Sequence, residues 1–237
     1  MTRMQNTPGN DSSAISGALQ QATDLADAGR STEAIDVLAR AIDRHGDVAE
    51  LHTAQGWALE NTSPPRWSEA LAAYRIALAA DPRQLWARLG QATALEERLG
   101  EAEAAAAAYT AAITLAMARA ETEPEFLELL GWCEYRLGRL DDAVATFGRA
   151  LALNPAWTAV RLDLGLVSLL RGDVDATAHF DAALDGLAEC DPQRRVGALR
   201  VALDDLDEAI AATAALAFDN RTGNVRARLA SELAAAR

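Results

Sequence analysis

The residues of this 237-residue chain that could do bond-making chemistry are few and scattered. Asp141-Asp142 and Asp204-Asp205 are adjacent carboxylates. Adjacent residues on a helix do not face each other, so neither pair makes a general acid–base couple. Both pairs are expected in the first turns of helices, where acidic groups complement the dipole. His45, His52 and His179 lack zinc spacing, and Cys133 and Cys190 form neither a CxxC motif nor a disulfide framework. Cys133 falls between helix-face positions and reads as a small buried residue. The chain contains no lysine, so a lysine Schiff base and a P-loop lysine are both excluded. No glycine-rich phosphate loop and no nucleophile beside a base is present. A non-enzymatic protein that needs no cofactor and no metal is expected.

What remains is recognition chemistry. Trp57 and Trp132 each directly follow a glycine, Gly56 and Gly131, at matching places in two similar stretches. Such side chains need elements that hold them in register. The clearest of these runs from Phe126 to Pro155. Leu127, Leu130, Gly131 and Leu137 mark one amphipathic helix, and Gly138 stops it in the left-handed conformation. Ala143, Phe147 and Ala150 share a face of the next helix, and Pro155 closes the unit. Gly131 and Ala143 are expected where the two helices cross.

This stretch resembles a tetratricopeptide repeat, whose signature is W-x2-L-G-x2-Y, then A-x3-F, then P. Leu127 stands for the Trp, and Tyr135 falls one place late. The register recurs along the chain. Ala22, Ala34, Leu38 and Ala41 carry it first, with Gly29 ending the first helix and Gly46 in place of proline. Gly56, Ala70, Tyr74, Ala77 and Pro82 carry it second, with a longer turn at Asn61-Thr-Ser-Pro-Pro65 and Trp67 packed over it. Trp86, Leu89, Gly90, Ala105, Tyr109 and Ala112 follow, with the first helix extended to Gly100 and the second reaching about Ala120. Leu164, Gly165, Gly172, Ala176, Phe180 and Ala183 make a fifth unit, and Gly197 to Ala209 a degenerate sixth. Asn220 to Asn224 then breaks the helix before a one-faced final helix on Val225, Leu229 and Leu233.

The expected architecture is therefore all-α. It has a disordered tail over 1–12, repeats at 13–46, 47–82, 83–120, 124–155, 156–190 and 191–218, and a capping helix at 219–237. The resemblance implies an α-solenoid, a right-handed superhelix of antiparallel helix pairs with the first helices lining its inner surface. Arg30, Arg98, Arg136 and Arg171 near first-helix ends suit the helix dipole.

In this family the inner surface holds a peptide or segment of a partner protein. Positions that face it without serving the packing signature are Trp57, Glu60 and Asn61, then Arg88 and Gln91, then Glu128, Trp132, Tyr135 and Arg136. Leu162, Leu166 and Leu169 add an apolar floor. The carboxylate clamp of chaperone-binding relatives is disfavoured by the missing lysines. The net charge of −13 and pI near 4.6 argue against nucleic acid and anionic membranes, and favour a partner with a basic or apolar segment. An accessory subunit and a self-assembling homo-oligomer are the alternatives. No apolar leader is evident, Ala104 to Ala118 is too short and alanine-rich to span a bilayer, and an all-arginine composition suggests a GC-rich bacterial genome. A cytoplasmic location is expected.

Overall fold

An alanine-rich chain that is poor in β-branched and aromatic residues favours close helix pairing. In the computed structural model every regular element among the described residues is a helix. Residues 8–99, 101–120 and 123–236 are described, without the side chains of 8–11 and 97–99. The helices are α1 (Pro8–Asp27), α2 (Ser31–His45), α3 (Ala49–Glu60), α4 (Trp67–Ala80), α5 (Leu85–Leu99), α6 (Ala102–Ala120) and α7 (Phe126–Arg136). They continue as α8 (Leu140–Leu153), α9 (Thr158–Arg171), α10 (Ala176–Ala188), α11 (Pro192–Ala212), α12 (Ala214–Ala217) and α13 (Asn220–Ala235). The fold is an all-α solenoid of antiparallel helix pairs. Among the described residues no helix is long and apolar enough to cross a membrane.

Tight turns have one cause. Gly29, Gly138 and Gly172 take φ of +73°, +69° and +82°. At each, the glycine N–H donates to the carbonyl three residues back and the next N–H to the carbonyl five back. Gly138 reaches Tyr135 at 2.8 Å, and Arg139 reaches Glu134 at 2.9 Å. This pair of bonds satisfies the helix's last carbonyls and reverses the chain. All three glycines stand seven positions after the register residue Ala22, Gly131 or Gly165.

The packing glycines each face an aromatic ring. A Cβ on Gly131 would lie 2.6 Å from the Phe147 ring, and Ala143, one turn before Phe147, is fully buried. Gly165 stands in the same way against Phe180, at 2.7 Å. Tyr74 serves two hairpins, because a Cβ at Gly56 or Gly90 would meet its ring at 2.5 Å or 2.2 Å. The missing methyl makes room for an aromatic ring from the second helix, and the alanine one turn earlier packs beside it.

The chain divides into two compact units, Met1–Leu115 and Ala116–Arg237. In the first, α1 to α5 stack in sequence, with Leu38, Leu51, Leu71 and Tyr74 fully buried. In the second, α7/α8 and α9/α10 are hairpins, and α9 to α13 share one core against which Tyr135 of α7 packs.

Three expectations are corrected. The first helix starts at Pro8 and not near residue 13, and residues 1–7 lie outside the described residues. The sixth unit is not a hairpin, because α11 runs unbroken through it; Asp204 stands where a turn would need glycine, and the surrounding residues are good helix formers. The break before the last helix falls at Phe218 rather than within 220–224. Asp219 caps α13 by accepting from the Arg221 N–H.

Candidate functional site

In the first unit, α1, α3 and α5 line a cavity of about 500 Å³, with Tyr74 of α4 contributing to its wall. Thr23, Glu50, Thr53, Ala54, Trp57 and Glu60 line it from α1 and α3. From Gln84 onward, Trp86, Leu89, Gly90 and Thr93 line the opposite side. Trp57 is 41% exposed and Trp86 54% exposed, so two indoles remain open to solvent at one concavity. Burying these rings against a partner would be favourable, and tryptophan is enriched among the residues that dominate interfaces.

Glu60 is the polar centre. Burial pushes its carboxyl up to about 7, offset in part by a hydrogen bond from the Tyr74 hydroxyl. Burial and the neighbouring Glu60 charge keep that phenol protonated far above its ordinary range. Glu60 Oε1 is buried without a hydrogen-bond partner among the described residues.

Trp57 and Glu60 line the cavity, and Asn61, Arg88 and Gln91 do not. Asn61 closes the end of α3, its Nδ2 donating to the Trp57 carbonyl at 2.8 Å while its own carbonyl accepts from Ser31 Oγ at 2.9 Å. Arg88 donates to Gln91 Oε1 at 3.1 Å and reaches back toward the Pro82 carbonyl at 3.5 Å. Arg161 reaches the Pro155 carbonyl in the same way, so this arginine position ties down the turn between hairpins. Arg88 and Gln91 engage each other away from the cavity.

The repeat signature places Trp86 among its packing positions, yet it lines the cavity. Its signal was legible: it precedes Gly90 by one helical turn, so the two share a face. Tyr74, Glu50 and Thr93 are also absent from the predicted set.

In the second unit α11 packs against α9 and pairs with Arg136 of α7, and among the described residues the face shared by α7 and α9 shows no such opening. Leu162, Leu166 and Leu169 are buried in one core with Leu199, Leu206, Leu229 and Leu233. Tyr135 packs against the same core. Arg136 pairs with Glu208 of α11 at 3.1 Å, and its guanidinium carbon lies 5.3 Å from the Trp132 ring centroid. The space between Trp132, Tyr135, Leu166 and Asp205 is only about 10 Å³, room for one water at most. The apolar floor is therefore covered by the chain's own later helices, and Trp132 is half-buried beside Arg136.

Acidic groups are trapped at that seam. Desolvation, helped by the charges of Glu128 and Asp205, pushes Asp163 up to about 8. Asp205 is raised to about 6, mainly by burial and by Glu208, with Arg136 opposing. Burial also raises Glu128. No group of three or more metal-ligating side chains is found among the described residues. Cys133 is fully buried, and its thiol is pushed up to about 12.

Two family models, each described as tetratricopeptide repeat, match residues 19–63 and 124–157. Among solved structures, PilF of Pseudomonas aeruginosa is 20% identical with a TM-score of 0.59, over 92% of this chain and 99% of that one. MamA from Desulfovibrio magneticus RS-1, from residue 41 to its end, is 18% identical with a TM-score of 0.52, over 75% and 97%. No curated protein sequence matches the chain. At such identities the two structures are similar in fold alone. The matched segments fall one in each unit: residues 124–157 span the hairpin α7/α8, residues 19–63 run from within α1 through α2 and α3, and in both the chain carries tetratricopeptide repeats.

Proposed function

We propose that this chain is a protein-interaction scaffold that holds a partner segment in the first-helix groove of its first unit. The observation that carries this reading is the pair of exposed indoles, Trp57 and Trp86, on one cavity of about 500 Å³. A soluble fold has no packing reason to leave two tryptophans open at one concavity. The groove is built on helices held apart by a buried ring, so its walls are set before a partner arrives.

The test is comparative capture from the organism that encodes the chain. Wild type is set beside Trp57→Ala/Trp86→Ala and beside Phe218→Ser, a change at an exposed residue of the second unit. Proteins retained by wild type and Phe218→Ser but lost by the double variant support the groove. Each tryptophan removed should weaken such a partner by about tenfold, close to 1.4 kcal/mol. Both indoles are substantially exposed, so melting temperature should move by only a few degrees. Identical captured sets would overturn the reading.

A further inference from the structure

The cavity of the first unit is acidic and aromatic at once. Its lining includes two carboxylates, Glu50 and Glu60, and two indoles, and contains neither arginine nor histidine. Indole faces attract cations. Lysine and arginine lay an aliphatic stem along apolar surface while the charged head reaches a polar site. A buried carboxylate oxygen left without a donor, as Glu60 Oε1 is, costs free energy that an incoming N–H restores. Arg66 pairs with Glu69, and Arg88 donates through Nη1 to Gln91 with its Nε buried and unpartnered; neither arginine lines the cavity.

Resting on the groove reading above, we propose that this cavity takes one lysine or arginine side chain of an extended partner segment. The stem lies against Trp57 and Trp86, and the cation sits on Glu60. Glu50, toward the start of the same helix, adds negative potential at the cavity wall.

The proton balance follows. A bound cation holds Glu60 ionised. Below about pH 7, where the empty site carries a proton, binding must expel it. Affinity should therefore fall as pH drops. The titratable groups sharing the cavity are Glu50 on α3 and Tyr74 on α4; α1 and α5 contribute only neutral side chains.

The experiment is selection from a displayed random dodecapeptide library against the full chain, in parallel with Glu60→Gln and Trp57→Ala/Trp86→Ala. The expected outcome is a set of peptides that depends on both tryptophans and shares one lysine or arginine position. Replacing that residue with norleucine, or Glu60 with Gln, should each weaken a selected peptide by about tenfold. Both changes together should cost no more than either alone. Wild-type affinity should weaken severalfold between about pH 7.5 and 5.5, and the Glu60→Gln profile should be flat. Glu60→Gln is nearly isosteric, and thermal melting confirms its fold.

Peptides that need the tryptophans but carry no shared cation would overturn this inference and leave the groove reading standing. Peptides indifferent to the tryptophans, or no enriched peptide at all, would overturn both.

Discussion

At the scale of single residues, the absence of a methyl group sets where helices meet. Gly90 and Gly131 each leave the space an aromatic ring fills, and neither ring has a soft end to swing away. Gly90→Ala and Gly131→Ala should each destabilise by about 1–3 kcal/mol through overpacking, read as a lower urea midpoint at unchanged slope. Gly90→Ala should also weaken groove binding, because α5 must shift to relieve the contact. Gly148→Ala is the control, since a Cβ there meets nothing within 4 Å. If that variant loses as much stability, close ring contact is not the cause. Trp57 and Glu60 were legible from their offsets to Gly56, but Asn61 and Arg88 were not. Those offsets specify a helix face, while the turns at either end recruit whichever polar side chain reaches a bare carbonyl.

At the scale of elements, a helix-stop glycine makes the hairpins at Gly29, Gly138 and Gly172, while α3 reverses through the longer turn after Asn61. Where that glycine stands seven places after the register residue, the chain reverses; where Asp204 stands instead, α11 continues, packs against α9 and pairs with Arg136 of α7. Leu162→Ala and Leu206→Ala remove facing parts of that contact. Each should cost about 2–5 kcal/mol in chemical denaturation and leave peptide binding per folded molecule unchanged. A loss of binding without a loss of stability would return Leu162 to the interaction surface. Helix pairs and their glycine ends were readable because they follow from local spacing. The sealing of the second unit was not, because Leu162 and Leu166 look alike whether they face a partner or the chain's own later helix. Only the unbroken run of helix formers after Gly197 hinted at it.

At the scale of the whole molecule, the two units use their first-helix faces differently. The first keeps an open cavity and the second closes its own. Closure crowds Glu128, Asp163 and Asp205 together, with Arg136 and Glu208 at the margin. Asp163 has a raised pKa in the folded chain, so the folded state binds the proton more tightly than the unfolded one, whose aspartates titrate near 3.9. Its contribution is most favourable below that value and is lost as pH rises toward about 8. Stability should fall across this window by at most about 1.4 kcal/mol per pH unit from this group. Asp163→Asn should flatten the fall and raise the melting temperature at pH 8. A melting profile that keeps its slope in the variant would show that Asp163 is not the titrating group.

The Tyr74 ring is wedged between Gly56 and Gly90 while its hydroxyl reaches Glu60. One phenol therefore sets the pitch of neighbouring hairpins and steadies the charge that faces the cavity. Parting α3 from α4 would draw that hydroxyl off the carboxyl. Bending between these two helices and the acidity of the groove are therefore coupled through one ring.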